Sequence, residues 1–464
     1  MTVSPAPRGA LRNRTDAELP LRLARSAAHT DEGAHLRTAD FPKWFEERRH
    51  AHRFKVERIA FDQLERWSFD RGTGNLVHDS GRFFSVEGLR VVTGERPFPE
   101  WEQPIILQPE VGILGILARE FDGVLHFLMQ AKMEPGNPNL LQLSPTVQAT
   151  RSNYTKVHQG TDVKYLEYFT GSGRARVLTD VLQSEHGAWF FRKANRNMLV
   201  EAVGEVPLDE DFCWLTLGQI GELLRQDVVV NMDSRTVLAC IPAARPEDRA
   251  LHSDTELLSW FTAERSRHDV RVLSKPLAQV DGWRRGPHAI DRPDGRYFSV
   301  VAVAVEAGNR EVTGWTQPLF EPCGTGVTAF LTRTIGGVRH VLAHARLEGG
   351  FLDTIELAAT VQCTPESYVG VPAADRPMFL DLVLNADPRR IRYEAVHSEE
   401  GGRFRNAECR YLIVEVDDEV PTVPPPGYVW ITPAQLNSLA GHAHYVNVQA
   451  RTLLACLNSG AVSV

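Results

Sequence analysis

The sequence lacks the features that would tie it to a membrane, to nucleic acid or to a disulfide framework. Its six cysteines include no CxxC pair and stand singly in apolar or mixed runs, which is typical of buried, reduced thiols. No stretch of about 18 apolar residues occurs, and the N-terminus lacks the apolar run of a signal peptide. A net charge of −8 argues against the basic surface of a nucleic-acid-binding protein. We therefore expect a soluble cytoplasmic protein that binds neither nucleic acid nor a membrane.

The most informative feature that is present is an internal duplication. GRFFSV at Gly81 recurs as GRYFSV at Gly295, and the same offset of 214 residues aligns most of the two halves. A period of this length is far beyond the roughly 20 to 50 residues of a solenoid unit. It predicts two domains, each long enough to bury its own core. The predicted divisions are a mobile leader over residues 1–35, copy 1 over 36–245 and copy 2 over 246–464.

Each copy shows the same order of predicted elements. An aromatic-rich helical segment (TADFPKWFEERRHAHRF, then DTELLSWFTAERSRH) precedes apolar strands, and two of these strands are joined by Asp122-Gly123 in copy 1 and by Gly336-Gly337 in copy 2, as in hairpins. Further strands are predicted at RVLTDVLQSE, GAWFFRK and NMLVEAV and at their matches in copy 2. Two helices close each copy, the first opened by a Thr N-cap. The pattern predicts an α+β fold in which each copy is a mixed or antiparallel sheet flanked by helices.

One segment of copy 1 combines the residue types that chemistry needs. LMQAKMEPGNPN places Lys132 and Glu134 before a loop of Gly, Pro and Asn. After this loop polar side chains stand at alternate positions, and a period of two puts them on one face of an extended segment. These side chains are Gln142, Ser144, Thr146 and Gln148. Such a row suits a polar ligand such as a sugar diphosphate, although a solvated face would show the same pattern.

Copy 2 differs from copy 1 at several of these positions. Ser144, Arg151, Asn153 and Lys156 become Ala358, Pro365, Ser367 and Gly370, whereas the matches Glu348, Thr360, Gln362 and Tyr368 are retained. The joint loss of four polar side chains indicates that copy 2 has lost or changed a ligand site. The retained residues are either structural or serve a pocket in both copies. We therefore predict that copy 1 holds the chemistry.

Several long motifs resemble one enzyme family. QPEVGILGIL, MQAKMEPGNPN, QLSPTVQATRSNYTKVH, VLQSEHGAWFFRKANRNM and VNMDSRTVL in copy 1, with HSEEGGRF and VNVQARTLLACL in copy 2, are similar to the NDP-hexose 2,3-dehydratases of deoxysugar biosynthesis. The resemblance runs from about residue 40 to 458. It implies a tandem pair of Nudix-like domains. The Nudix box of clustered glutamates is absent, since ATRSNYTKVHQG follows Gln148, so the fold is expected without the hydrolase chemistry.

The resemblance implies dTDP-4-keto-6-deoxy-D-glucose as the substrate. A base would remove the C3 proton, which the C4 ketone acidifies, and the C2 hydroxyl would leave as water. The 2,6-dideoxy-3,4-diketo product would then be reduced by a separate NAD(P)H-dependent 3-ketoreductase. No cofactor is expected here, and no GxGxxG follows a predicted strand. We also expect a homodimer. The alternatives are a Nudix-type hydrolase of nucleotide-sugar diphosphates and a non-catalytic nucleotide-sugar binding protein.

The candidate site residues follow from this chemistry. The acid, the base and the group that stabilises the enolate are expected among Lys132, Glu134, Tyr154, His78 and Glu185, of which Glu134, Tyr154 and Glu185 recur in copy 2 and could be structural. The two tryptophans among the candidate binding residues could stack on thymine or belong to the core. The candidate substrate-binding residues are Trp67, Ser144, Thr146, Gln148, Arg151, Asn153, Arg192, Trp283, Thr360, Gln362 and Tyr368. His126, His158 and His186 lack a paired ligand spacing, and the close pair His442 and His444 is interpreted as part of a surface loop, so no metal site is predicted.

Overall fold

The computed structural model describes residues 18–81, 83–94, 98–150, 163–242, 249–308 and 313–462. The α-helices in these ranges are α1 (Leu19–Ala28), α2 (Phe41–Ala51), α3 (Leu217–Leu224), α4 (Met232–Ala239), α5 (Asp254–Arg267), α6 (Leu380–Leu384), α7 (Pro433–Ala440) and α8 (Val448–Asn458). The strands assigned mainly to copy 1 are β1 (Phe54–Ile59), β2 (Trp67–Phe69), β3 (Leu76–His78), β4 (Ser85–Val92), β5 (Glu100–Leu107), β6 (Ile113–Phe121), β7 (Val124–Met133), β8 (Leu141–Ser144), β9 (Val147–Ala149), β10 (Ala175–Ser184), β11 (Ala194–Ala202) and β12 (Phe212–Thr216). Those of copy 2 are β13 (Arg271–Lys275), β14 (Arg284–Arg285), β15 (Ala289–Asp291), β16 (Phe298–Ala307), β17 (Gly314–Pro322), β18 (Gly326–Ile335), β19 (Val338–Leu347), β20 (Ile355–Ala358), β21 (Val361–Cys363), β22 (Ile391–Ser398), β23 (Glu408–Glu415) and β24 (Tyr428–Ile431).

Two large sheets of seven strands carry the duplication. In copy 1 the order is β10-β11-β6-β7-β12, with β8 paired to β7 and β9 paired to β6. In copy 2 the order β22-β23-β18-β19-β20 has β24 on β19 and β21 on β18, which is the same arrangement strand for strand. Each sheet has one parallel pair, β6 with β11 and β18 with β23. The predicted α+β class with two repeated mixed sheets is therefore confirmed.

The predicted hairpins and helix caps are present. Asp122 and Gly123 join β6 to β7, and both have positive φ, as do Gly336 and Gly337 between β18 and β19. Two consecutive residues with positive φ match the right-handed twist of the strands they connect. The Thr216 side chain caps α3 by accepting from the Gln219 backbone N–H, and Thr432 caps α7 in the same way.

The two copies exchange a strand in two smaller sheets. β1 of copy 1 pairs with β16 of copy 2, and the equivalent strand β13 of copy 2 pairs with β4 of copy 1. The tryptophan that follows each exchanged strand also crosses over: Trp67 Nε1 donates to the Thr316 carbonyl at 3.0 Å, and Trp283 Nε1 donates to the Glu102 carbonyl at 3.0 Å. Each small sheet is therefore complete only when both copies are folded together.

A second crossing brings the copies into close backbone contact. The Gly136 N–H donates to the Gly401 carbonyl, and the Gly350 N–H donates to the Gly187 carbonyl, each at 2.7 Å. A Cβ atom at Gly136 would lie 1.7 Å from the Phe404 carbonyl oxygen, so only glycine permits this approach. The loop that follows Glu134 in copy 1 is thereby held against the turn after β22 in copy 2.

One apolar core runs through the centre of the molecule. Buried side chains from α3 and α4 pack with buried side chains from α7 and α8, so the closing helices of the two copies share a core. Burial of this apolar surface is the main favourable term that holds the copies together. None of the helices in the described ranges is long and apolar enough to cross a membrane.

Two predictions about local structure are wrong. Residues 18–35 were assigned to a mobile leader, but residues 19–28 form α1, which buries Leu19 and Leu23 on one face and whose Ser26 hydroxyl donates to the Leu125 carbonyl. Residues 1–17 lie outside the described residues. GAWFFRK and its match GGRFRNA were predicted as strands, but they form turns after β10 and β22, each with a single bridge at its phenylalanine.

Candidate functional site

A cavity of about 250 Å³, here called the copy 1 cavity, opens between the two copies. Residues on β6, β7, β9 and β11 and in the turn after β10 form most of its copy 1 wall, and residues on β17 and in the turn after β22 form its copy 2 wall. Its lining residues are Gln108, Gly112, Leu114, Lys132, Glu134, Pro135, Gln148, Ala149, Thr150, Glu185, Phe190, Lys193, Asn195, Asp233, Trp315, Gln317, Glu400, Gly402 and Arg403. The mixture of charged and apolar groups from both copies is typical of a site that binds a polar ligand.

A hydrogen-bonded group centred on Gln148 lies on the copy 1 wall. Lys132 Nζ donates to the Gln148 side-chain oxygen and lies 3.4 Å from Glu134 Oε1. The Gln148 amide nitrogen donates to Glu134 Oε1 at 3.4 Å and to the Asp233 carboxylate. Lys132 stands on β7, Gln148 on β9 and Asp233 in the first turn of α4. Two strands and one helix thus fix a lysine and two carboxylates around one amide.

A second group on the copy 1 wall orients Glu185. Lys193 Nζ donates to the Glu110 carbonyl and, at 2.7 Å, to Asn195 Oδ1. The Asn195 amide in turn donates to Glu185 Oε1 at 2.6 Å, whereas Glu185 Oε2 is buried without a hydrogen-bond partner in the described structure. Asn195 therefore fixes one oxygen of Glu185, and the other lies 3.8 Å from His186 Nδ1.

Copy 2 contributes a carboxyl group and a guanidinium to the copy 1 cavity. Glu400 and Arg403 both stand on the turn after β22, which the contact of Gly136 with Gly401 holds in place. Glu400 Oε1 accepts from the Gly402 N–H at 3.1 Å. Arg403 Nε donates to Gln108 Oε1 at 3.0 Å, and its guanidinium lies 4.2 Å from the centre of the Phe84 ring.

The charges in the copy 1 cavity perturb one another strongly. Burial, together with repulsion by Glu400 and Glu134, raises the pKa of Asp233 well above its usual range. Burial raises the pKa of Glu400 to about 7, with nearby Arg403 opposing the rise and Glu134 and Glu185 adding to it. Burial also lowers the pKa of Lys193. Buried carboxylates at this density favour the retention of protons near neutral pH.

Three of these carboxylates lie close together. Oxygens of Glu134, Asp233 and Glu400 are all within 4.8 Å of one another, a spacing that would admit one divalent cation. The Gln148 amide nitrogen, however, already donates to Glu134 and Asp233, and Lys132 lies beside them. Because protein donors compensate these carboxylates, we interpret the group as one that shares protons. The sequence alone did not indicate that these three residues are close in space, since they stand on three separate elements.

The equivalent positions of copy 2 form a group that we call the copy 2 cluster. Its members are Arg346, Glu348, Gln362 and Glu399 of copy 2 and His186 and Trp189 of copy 1. Arg346 Nε donates to Glu348 Oε1 at 2.7 Å, and His186 Nε2 lies 2.8 Å from Glu399 Oε2. The Trp189 ring packs on Phe404 with 4.5 Å between ring centres. In this cluster opposite charges are paired and an indole takes the position that Arg403 has in the copy 1 cavity.

Titration in the copy 2 cluster follows from this pairing. Burial disfavours a charge on His186, but attraction by Glu399 and Glu185 outweighs it and raises the pKa of His186 to about 9. The pKa of Glu399 is lowered, because the charge on His186 and its hydrogen bond outweigh the penalty of burial. The pair is therefore an imidazolium and a carboxylate at neutral pH, each held by the other.

The structure places four predicted site residues at the copy 1 cavity. They are the catalytic candidates Lys132, Glu134 and Glu185 and the binding candidate Gln148. Arg151, Asn153 and Tyr154 lie outside the described residues.

Three predicted binding residues are instead buried in the scaffold. The Thr146 hydroxyl accepts from the Leu117 N–H and donates to the Leu128 carbonyl, and Thr360 makes the same two bonds in copy 2. Ser144 Oγ accepts from the Asn231 amide at 2.9 Å, inside the protein. The four alternate positions do not form one row: β8 ends at Ser144 and is buried along its whole length, and Thr146 lies in the bend before β9. The hydroxyls of Ser144 and Thr146 therefore satisfy buried backbone and amide groups.

Four other candidates do not line the copy 1 cavity. Trp67 and Trp283 pack in the core of the small sheets, where their ring nitrogens bond to backbone carbonyls, so the indoles serve the exchanged strands. His78 packs edge-on against Trp67, and burial lowers the pKa of its ring. Arg192 is exposed and stacks on Phe191.

The remaining two candidates belong to copy 2. The Gln362 amide donates to Glu348 Oε1 at 3.1 Å within the copy 2 cluster. Tyr368 lies near Arg346, and burial raises the pKa of its hydroxyl.

Sequence reasoning missed four charged residues of the cavity and also Asn195, whose amide orients Glu185. The candidates it took from copy 2 were Trp283, Thr360, Gln362 and Tyr368, and none of them lines the cavity, whereas two of the five missed residues do come from copy 2. A signal was present, because every one of them differs in chemical type from its match. The missed residues and their matches are Lys193 and Ala407, Asn195 and Cys409, Asp233 and Gln449, Glu400 and His186, and Arg403 and Trp189.

Comparison with known proteins agrees with this duplicated architecture. The sequence model of the NDP-hexose 2,3-dehydratase family matches residues 38–241 and again residues 254–457. A dTDP-4-dehydro-6-deoxy-alpha-D-glucopyranose 2,3-dehydratase of Amycolatopsis orientalis is 62% identical over 457 residues, which cover 97% of this chain and 96% of the relative. Proteins of the same name from Saccharopolyspora spinosa and Streptomyces violaceoruber are 52% and 50% identical, and each alignment covers 91% of this chain and 91% or 97% of the relative. The chain belongs to the NDP-hexose 2,3-dehydratase family.

Proposed function

We propose that the protein is a hydro-lyase that removes water across C2 and C3 of dTDP-4-keto-6-deoxy-D-glucose, with its chemistry in the copy 1 cavity. The observation that carries the proposal is the cavity itself, in which two lysines and four carboxyl groups meet at the junction of the two copies. The relatives that bear the dehydratase name align over nearly the whole chain and support the same substrate.

Lys132 and Glu134 have the geometry that the first chemical step requires. The C4 ketone acidifies the proton on C3, so the base and the group that stabilises the enolate oxygen must address neighbouring atoms. Lys132 Nζ and Glu134 Oε1 are 3.4 Å apart, and Gln148 contacts both. We assign Glu134 as the base and Lys132 as the donor to the C4 oxygen, with Glu185 as a second carboxylate that contacts the sugar.

Arg403 is the residue that we assign to the substrate diphosphate. Its guanidinium is held by Gln108 and by the face of Phe84, which leaves the side chain little freedom to lose on binding. Its match in the copy 2 cluster is Trp189, which has no charge. We expect the candidates Arg151 and Asn153 to act with Arg403, and we retain Tyr154 as a candidate acid.

The wider predictions remain proposals. We propose that each unit is Nudix-like, with the boundary between the units near residue 245, and that the protein is a cytoplasmic homodimer. The cysteines of the described ranges are free thiols, which suits a reducing compartment. We propose that no redox cofactor is needed, because the elimination leaves the oxidation level of the sugar unchanged, and that an NAD(P)H-dependent 3-ketoreductase consumes the product.

The test is an incubation of the full-length protein with dTDP-4-keto-6-deoxy-D-glucose, with and without a 3-ketoreductase and NADPH. We expect a 2-deoxy dTDP-sugar in the coupled reaction, and release of dTDP from the unstable diketone without the reductase. Both should persist in EDTA. If dTMP and a sugar phosphate form instead, and only with added Mg²⁺, the protein is a diphosphate hydrolase. If the substrate binds but is recovered unchanged, the protein is a binding protein.

A further inference from the structure

Resting on the proposed dehydratase function, we propose that Glu400, supplied by copy 2, is the catalytic acid that protonates the C2 hydroxyl as it leaves. Glu400 lines the copy 1 cavity although its backbone belongs to the other copy. Its Oε1 accepts from the Gly402 N–H, which fixes the carboxyl group. Its Oε2 is buried and has no hydrogen-bond partner in the described part of the chain. An oxygen without a partner at the wall of a cavity is available to a substrate hydroxyl.

The position of Glu400 relative to Glu134 suits an elimination across two adjacent carbons. A base on C3–H and an acid on the C2 oxygen must stand a few ångströms apart, each within hydrogen-bond reach of its own atom. The carboxylate oxygens of Glu134 and Glu400 lie within 4.8 Å of each other. Asp233 is equally near, but its carboxylate already accepts from the Gln148 amide. Glu400 is therefore the better placed donor.

The surroundings of Glu400 keep a proton available near neutral pH. Burial raises the pKa of Glu400 to about 7; Arg403 opposes the rise and Glu134 and Glu185 reinforce it. Asp233 and Lys193 also interact with Glu400 electrostatically. A carboxyl group with a pKa near the working pH is both protonated often enough and acidic enough to act as a general acid.

The residue that matches Glu400 is His186, and its charge is compensated by a neighbouring side chain. His186 occupies the place of Glu400 in the copy 2 cluster and is paired with Glu399 at 2.8 Å. Its charge is compensated within the protein. Glu400 makes no ion pair of this kind among the described residues: Arg403 attracts it but donates to Gln108 and Gly402, and the other nearby side chains Glu134 and Asp233 are carboxyl groups.

The step balances without a further reactant. Glu134 takes the proton from C3, and the electron pair of that bond forms the enolate whose oxygen Lys132 stabilises. The enolate then collapses to regenerate the C4 ketone and forms the C2–C3 double bond as the C2–O bond breaks. The departing oxygen takes the Glu400 proton and leaves as water. Tautomerisation of the 3-hydroxyenone moves its hydroxyl proton to solvent and adds a proton at C2, which gives the 3,4-diketone.

The test compares Glu400→Gln with Glu394→Gln as a control. Glu394 stands on β22 of the same copy, is exposed, and pairs with Arg410 on the surface. In a single-turnover assay in D₂O we expect dehydration by Glu400→Gln to fall about 10²- to 10⁴-fold. The substrate recovered from this variant should nevertheless carry deuterium at C3, because the base is intact. Glu394→Gln should dehydrate at the wild-type rate.

A pH profile separates a chemical role from a structural one. The wild-type rate should fall as the pH rises through about 7, because the acid must carry its proton, and this limb should be absent in Glu400→Gln and retained in Glu400→Asp. Undiminished dehydration by Glu400→Gln, or loss of C3 exchange in parallel with dehydration, would overturn the assignment. Failure of the proposed function is distinct, since the wild-type protein itself would then form no dehydrated sugar.

Discussion

The copy 1 cavity and the copy 2 cluster stand on the same scaffold but differ in how their buried charges are compensated. Both hold a cation beside a carboxylate, Lys132 with Glu134 and Arg346 with Glu348, but in the cluster a second ion pair joins His186 to Glu399. In the cavity, Asp233 and Glu400 lie close to further carboxylates and hold raised pKa values. We propose that this difference separates a half that is retained for stability from a half that carries the chemistry.

Each of the two sites contains residues from both copies. The turn after β22 belongs to copy 2 but lines the copy 1 cavity, and the turn after β10 belongs to copy 1 but contacts the copy 2 cluster. A substitution at Glu400 in copy 2 therefore changes the site of copy 1. The strands β1 and β13 are exchanged as well. Neither half holds a complete set of groups by itself, and the duplication is therefore one functional unit.

A large effect is expected at Lys132 and not at Arg346, its match in copy 2. Lys132→Met should lower kcat about 10²- to 10³-fold, because one preorganised donor to the developing oxyanion is lost. Arg346→Met removes the matching charge from the copy 2 cluster and should leave kcat per folded molecule nearly unchanged, since Arg346 only compensates Glu348. Coupled kinetics with the 3-ketoreductase measure both. A larger loss from Arg346→Met would place the chemistry in copy 2.

A smaller effect is expected at the position where the copies hold an arginine and a tryptophan. Arg403→Met should raise KM about 10- to 100-fold, because a charge-assisted bond to the diphosphate contributes roughly 1.5 to 3 kcal/mol. Trp189→Phe, the matched change in the copy 2 cluster, keeps the packing against Phe404 and should not alter KM. Initial rates over a range of substrate concentrations decide the matter. An unchanged KM in Arg403→Met would remove this residue from the binding site.

The smallest effect concerns stability rather than activity. The pKa of His186 is raised to about 9, so the stability from its pair with Glu399 is fully present below about pH 6.5 and is lost as the pH rises through 9. We expect the wild-type Tm to fall by a few degrees from pH 7 to pH 9.5. In the double variant His186→Gln and Glu399→Gln this fall should be smaller. Equal slopes of Tm against pH in the wild-type protein and the double variant would show that this ion pair does not stabilise the fold.

The sequence predicted the scaffold better than the site. Positive-φ turn residues such as Asp122-Gly123, and caps such as Thr216, are local signals, and both the hairpins and the helices formed where they indicated. The strand exchange could not be predicted, because β1 and β13 have the same pattern and would pair equally well within their own copy.

The site was predicted only where local pattern and chemistry coincide. Lys132 lies on β7, Glu134 directly follows that strand and Gln148 lies on β9, so one short stretch of sequence contains all three. Thr146 follows the same period but is directed inwards, since a period of two does not say which stretch of a face is buried. Glu400 was missed because residues were compared only with the site of their own copy.

The central claim is that chemistry occurs in the copy 1 cavity and not in the copy 2 cluster. The most direct measurement is the single-turnover rate of dehydration by Glu134→Gln beside Glu348→Gln, at equal concentrations of folded protein. We predict that Glu134→Gln loses about 10²- to 10⁴-fold together with C3 exchange in D₂O, because the base is gone, while Glu348→Gln retains both. Equal losses in the two variants, or a larger loss in Glu348→Gln, would contradict the account.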